Sequence, residues 1–144
     1  MTNTGPARRG LRRRAPWTMA ALAALVTAGA APAQTVLDTQ TGKASWYGEG
    51  FDGKSTASGE PFNSDYPVAA HPDWPFGTVV RVTNLDNDRS LEVRVVDRGP
   101  SDKRVDEGLV MDVSLGAAKV LGFVDDGVTD VRLDVLEWGE PAVK

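Results

Sequence analysis

The sequence predicts a small all-β domain, a barrel of short strands rather than a sandwich of long ones, with one or two short helices. Two observations predict it. The alternating apolar and polar runs are short, and 15 glycines and 9 prolines punctuate the 144 residues between them. Only one stretch, DVSLGAAKVLG at 112–122, has the composition of a helix. Many short strands with one short helix suit a closed sheet, although propensity alone leaves the topology open.

Taken in order, residues 1–33 contain no acid and carry Arg8, Arg9, Arg12, Arg13 and Arg14, then an apolar run from Met19 to Ala28 and the small-residue site Ala31-Pro32-Ala33. This is the layout of a secretory signal peptide cut after Ala33, and the run is short for a membrane span. Paired arginines leave both the general and the twin-arginine export routes open. Residues 34–41, QTVLDTQT, read as a flexible lead-in. GKASWYG, 42–48, reads as a short strand, with Ala44 and Trp46 on one parity and Lys43, Ser45 and Tyr47 on the other. The glycine-rich stretch 48–67 reads as a loop or a series of tight turns. Residues 78–84 and 90–97 alternate around LDNDR, which predicts a hairpin with a five-residue connection. Asp112-Val113-Ser114 before LGAAKVLG predicts a capped helix of about two turns stopped by Gly122. Residues 131–138 make the closing strand, and 139–144 a tail. One domain over 42–138 is expected.

Charge and cysteine content narrow the function. Without residues 1–33, 11 Lys and Arg face 20 Asp and Glu, a formal charge of −9. So acidic a domain is unsuited to nucleic acid and to anionic lipid surfaces. The absence of cysteine excludes disulfides, thiolate metal sites and a lipid anchor on an N-terminal cysteine. One histidine leaves only oxygen ligands for a metal, without calcium-loop spacing, so no metal or cofactor is expected. The expectation is a soluble exported protein, periplasmic in a Gram-negative cell.

SLEVRVVDRGPSDK, 90–103, raises the chemical question. Leu91, Val93 and Val95 form the apolar set of a strand, and Asp97 continues it before Arg98-Gly99-Pro100 ends it. A carboxylate on that face must be hydrogen-bonded, start the turn, or serve chemistry. The residues alone leave these open.

Four segments, GKASWYGEGFDGKSTASGEPFN, AAHPDWPFGTVVRVTNL, VVDRGP and MDVSLGAAKVLG, run in the order of the rare lipoprotein A (RlpA-like) family, which the chain resembles over about 42–137. The resemblance implies a six-stranded double-psi β-barrel related to expansins. It also implies endolytic lytic transglycosylase activity on peptidoglycan, often at the division septum alongside septal proteins, with a preference for glycan strands stripped of stem peptides. It maps the family's acids onto Asp97 and Glu60 and its histidine onto His71 as catalytic residues. Ser45, Tyr47, Asn63, Arg98 and Asp112 become substrate-binding candidates. Two departures stand out: Asn63 occupies a position where the family often has aspartate, and 101–110 is a longer loop than usual.

The chemistry asks for such residues. A lytic transglycosylase breaks the bond from N-acetylmuramic acid to N-acetylglucosamine without water. The muramyl C6 hydroxyl attacks its own anomeric carbon, leaving a 1,6-anhydro end. One carboxyl can protonate the leaving oxygen and then accept the hydroxyl proton. Asp97 is the expected acid/base, with Glu60 beside it to steady charge at the anomeric carbon. A bland role is available to each: Asp97 as a turn starter, Glu60 as a solvated charge, His71 as a packed turn cap, Asp112 as a helix cap. Trp46 reads as core, Trp74 as an exposed aromatic, and Arg98 as the partner of a carboxylate. An expansin-like protein that binds and loosens glycan without cutting it is the alternative function, and an envelope scaffold the third.

Overall fold

A computed structural model describes residues 34–141, so the signal peptide expected at 1–33 and the last three residues lie outside the described part. Six strands form: β1 Asp38–Tyr47, β2 Val68–Ala70, β3 Val79–Asn84, β4 Ser90–Asp97, β5 Leu109–Ser114 and β6 Val128–Glu137. Helix α1 spans Asp102–Asp106, α2 spans Leu115–Leu121, and Glu49–Phe51 is a 3-10 turn. The strands close into a barrel in the order β1-β5-β2-β4-β3-β6. Two pairs, β1 with β5 and β2 with β4, are parallel, and the rest antiparallel. The all-β class and the six-stranded barrel are as expected. Among the described residues no helix is long and apolar enough to cross a membrane.

Alternation builds the core. Val80 and Val82 of β3, Val93 and Val95 of β4, Met111 and Val113 of β5, and Val131 and Leu133 of β6 all point inward and are almost fully buried. Ala117, Ala118 and Leu121 of α2, with Phe123, plug one end. The β3–β4 hairpin turns at Leu85–Arg89, where buried Asn84 donates to the Leu121 carbonyl and accepts from Thr129 Oγ1, both at 2.9 Å. That one amide ties the hairpin to the end of α2 and to β6. Gly122 stops α2 at φ 77°, a left-handed cap that favours glycine.

Three expectations need correction, and one segment without an expectation proves to be a strand. The lead-in is strand from Asp38 onward, because Asp38–Ser45 pair antiparallel with Val128–Val135 of β6. Asp38, Thr39 and Thr41 are exposed and the segment carries no apolar pattern, so only the partner strand makes it regular. Asp112 is not a helix cap; it lies within β5, and Ser114 caps α2, its Oγ accepting from Ala117 N–H at 3.2 Å. The long loop 101–110 holds α1. Segment 68–70, unassigned from the sequence, is β2, buried on both faces and therefore without alternation.

Candidate active site

The end of β4 delivers Asp97 to the barrel rim. β2 and β4 shift register just there, pairing Ala69 with Val95 and Ala70 with Asp97, which turns the carboxylate out of the sealed interior. Its Oδ1 accepts two backbone N–H bonds at 2.9 Å, from Ala57 and from Arg98. Oδ2 has no partner among the described residues. One oxygen is thus held by the turn, and the residue lines the cleft that opens beside it.

A cleft of about 390 Å³ opens beside it, lined by Tyr47, Phe51, Ala70, Asp97, Arg98, Arg104 and Asp112. β5 runs parallel to β1 and pairs Ser45 with Asp112. The Ser45 hydroxyl donates to Asp112 Oδ1, and Arg104 of α1 reaches both, with Nη1 3.3 Å from Asp112 Oδ1 and Nη2 2.8 Å from Ser45 Oγ. Asp112 Oδ2 is likewise unpartnered among the described residues. Gly99 permits this proximity: a Cβ there would sit 3.4 Å from Asp112 Oδ2 at a φ of +140°.

Tyr47 lies between the two carboxylates. Its hydroxyl is buried and makes no hydrogen bond of good geometry among the described residues, although it lies within a long hydrogen-bond reach of the Asp97 carboxylate and feels the charges of Asp97 and Asp112. Burial first, then those two negative charges, push its pKa well above the ordinary phenol value. The hydroxyl therefore keeps its proton and stays a donor. The ring stacks on Phe62 at 4.6 Å and meets Phe51 edge-on at 5.9 Å. Phe51 is 52% exposed at the lip of the cleft, where a sugar face could lie on it.

The other expected residues are elsewhere. Glu60 is exposed and grips Arg94 through two 2.9 Å bonds; that hydrogen-bonded partner holds its pKa below the usual carboxylate value. Arg94 projects from the outer parity of β4, so the Glu60 carboxylate is drawn along the outside of the sheet. The loop instead serves Asp97 through Ala57 N–H, in a turn fixed by Thr56 Oγ1 bonding the Glu60 carbonyl at 2.9 Å. Asn63 makes a local turn, its Oδ1 accepting from Asp65 N–H at 2.9 Å, and lines a separate cleft.

His71 is 3% exposed. Its Nδ1 accepts from the Asp73 and Trp74 N–H groups at 3.1 Å, so Nε2 carries the proton toward Gln40 Oε1, 2.9 Å away. The ring stacks on partly buried Trp74 at 3.9 Å. Burial pushes its pKa down to about 4, helped by the Arg98 charge and opposed by Asp73. Its part in the cleft is indirect: its backbone N–H holds the Asp97 carbonyl at 3.2 Å. Arg98 lines the cleft but meets no carboxylate, contrary to expectation. It donates to the carbonyls of His71 and Trp74 at 3.3 and 2.8 Å and lies 3.9 Å over the Phe76 ring. Trp46 packs against the core, its Nε1 donating to Val124 O at 3.1 Å.

Sequence reasoning missed Arg104 and Phe51. Phe51 had a signal, an aromatic residue in a glycine-rich loop just after the strand bearing Tyr47. Arg104 had none beyond its place in the longer loop.

This architecture has known counterparts. A papain inhibitor from Streptomyces superposes with a TM-score of 0.56 at 25% identity, over 71% of this chain and 97% of that one. The apo expansin of Clavibacter michiganensis shares the fold, with a TM-score of 0.53 at 23% identity over 74% and 53%. In sequence, the chain is 48% identical over 105 residues to a protein of Synechocystis named probable endolytic peptidoglycan transglycosylase RlpA. It is 43% identical over 102 residues to the endolytic peptidoglycan transglycosylase RlpA of Campylobacter jejuni. These matches cover 73% and 71% of this chain but 32% and 36% of those proteins, so the chain spans about a third of their length. The family model described as lytic transglycolase matches residues 39–133, and the chain belongs to that family.

Proposed function

We infer that this barrel cuts peptidoglycan glycan strands internally, as a lytic transglycosylase that leaves 1,6-anhydromuramyl ends. One observation carries the reading: the unpartnered oxygens of Asp97 and Asp112 share one cleft with the protonated hydroxyl of Tyr47. The two carboxylate oxygens are open to water and can exchange it for sugar hydroxyls, and the buried Tyr47 hydroxyl is the one buried side-chain group among the described residues left without a partner. The names of the relatives give the substrate class.

In this reading, Asp97 enters the step in its protonated form and gives that proton to the leaving glycosidic oxygen as the C1–O bond breaks. The muramyl C6 hydroxyl attacks the anomeric carbon, and the Asp97 carboxylate takes the proton that the hydroxyl releases. Atoms balance without water. Asp112, fixed by Ser45 and Arg104, opposes the positive charge that develops on the sugar ring, the part that the resemblance gives to Glu60. Tyr47 holds its buried, protonated hydroxyl beside the Asp97 carboxylate, and Phe51 supports a sugar face. His71 acts through the backbone of Asp97 rather than on substrate.

The test is incubation of the purified protein with sacculi and mass analysis of soluble products. Anhydromuramyl ends that disappear in Asp97→Asn support the reading; reducing ends or no products overturn it. A binding-only, expansin-like role has one observation in its favour, the diversion of Glu60 to Arg94. A point variant of the Clavibacter michiganensis expansin has been solved in complex with cellohexaose, a precedent for this fold holding a glycan. Retained pelleting with sacculi without products would select that role. Export through the segment 1–33 and work beside septal division proteins complete the proposal. A fluorescent fusion found in the cytoplasm, or spread evenly around the cell, would remove the respective part.

A further inference from the structure

A second aromatic surface lies beyond the cleft. Tyr66 is 61% exposed, the most open of the large apolar residues among those described, yet its backbone is held on both sides. Its N–H donates to the Asn63 carbonyl at 3.1 Å, and its carbonyl accepts from Val68 N–H at 2.9 Å and from the Ser114 hydroxyl. An open ring on a pinned backbone is a presented ring. Order is already bound into the loop, so a ligand lying on the ring has little chain entropy to overcome.

Tyr66 forms a wall common to two surface clefts, of about 490 and 290 Å³. The larger is floored by Phe62, whose ring also stacks on Tyr47 in the candidate active site. Its lining includes Asp52, adjacent in sequence to Phe51 at the active-site lip. Ring contacts therefore run from Phe51 through Tyr47 to Phe62, and buried Phe62 floors the cleft that Tyr66 walls. The Asp52 carboxylate that lines the larger cleft is held in place within the protein, accepting from Ser64 N–H and Oγ. Asn63 offers its Nδ2, which has no partner among the described residues. Apolar rings, a free amide and an engaged carboxylate suit a neutral N-acetylhexosamine face.

We propose that Tyr66, with Phe62 and Asn63, forms a remote sugar-binding subsite that holds the glycan strand beyond the cleaved bond. This rests on the glycan reading of the active site and deepens it, making the protein a reader of strand length. Long strands occupy both the cleft and Tyr66, whereas short ones occupy the cleft alone.

The test uses the full protein carrying Asp97→Asn, so that strands are bound but not cut. Affinity for purified peptidoglycan glycan strands of graded length is measured with Tyr66 intact, as Tyr66→Trp and as Tyr66→Ala. Tyr66→Ala should weaken long strands about tenfold, the scale of one aromatic face returned to water, and flatten the dependence on length. Tyr66→Trp should keep it. Equal affinity of long strands for all three proteins, with unchanged thermal unfolding, overturns the subsite. Weakening of every length in Tyr66→Ala also overturns it, since the ring would then act through the cleft. Failure of the native protein to release anhydro ends would strike the catalytic reading alone, because the length profile is read in a protein unable to cut.

Discussion

The corner around His71 and the cleft around Asp97 are neighbours on the same barrel, and they treat polar atoms in opposite ways. In the corner, both ring nitrogens, the backbone N–H and the carbonyl of His71 each have a protein partner, and Trp74 covers the ring. In the cleft, Tyr47 Oη, Asp97 Oδ2 and Asp112 Oδ2 have none among the described residues. Satisfied, buried polar groups stabilise and specify a structure, whereas the two carboxylate oxygens stay open to water or a ligand and the buried Tyr47 hydroxyl alone is held at a cost. The comparison separates the expected residues into those that make the site and those that hold it in place.

The sharpest way to break this division is Asp97→Asn. It should lower the release of anhydromuramyl products about 10³-fold while the domain still binds sacculi, measured by product mass and pelleting. His71→Gln should do the reverse. It should cost about 2–4 kcal/mol of unfolding free energy in denaturant titrations, with cleavage at neutral pH largely kept. His71 also sets a pH dependence. Its folded pKa of about 4 lies below the unfolded value near 6.5, so between these the unfolded chain binds more protons. Its contribution is full above pH 6.5 and is lost as pH falls toward about 4, on the order of 3 kcal/mol in all. The variant should be flatter across that window.

Tyr47→Phe sharpens the comparison from the other side. Removing an unpartnered hydroxyl should leave stability unchanged or raise it by about 1 kcal/mol, while cleavage falls about tenfold. A clear loss of stability would mean that the hydroxyl is bonded after all. Glu60→Gln should matter least, with less than about 1 kcal/mol in stability, because its ion pair with Arg94 is exposed. A large loss of cleavage in that variant would return Glu60 to the reaction.

Much of this was legible before any coordinates, and the reason lies in local pattern. The β3–β4 hairpin alternates cleanly around a polar connection, and α2 carries its own cap and its own stop at Gly122. What stayed hidden depends on pairing across the fold. Thr39 and Thr41 are strand only because β6 lies beside them. β5 has inward Leu109, Met111 and Val113, but apolar Val110 blurs the alternation and let Asp112 pass for a cap. Around the site, the carboxylate at the end of β4 announced itself by parity. The capture of Glu60 by Arg94, 34 residues away, did not, nor did the reach of Arg104 to Ser45, 59 residues away. Distances of that kind along the chain leave no periodic trace.

The closed ring of strands has one more consequence. Among the described residues every strand has two neighbours, so one-sided pairing is confined to short stretches such as Asp38–Gly42 of β1 and Ser90–Val93 of β4. A glycan carries no peptide groups to pair with those stretches, so any that binds is read by side chains standing on the rim. Neighbouring copies likewise find only short lengths of strand to extend.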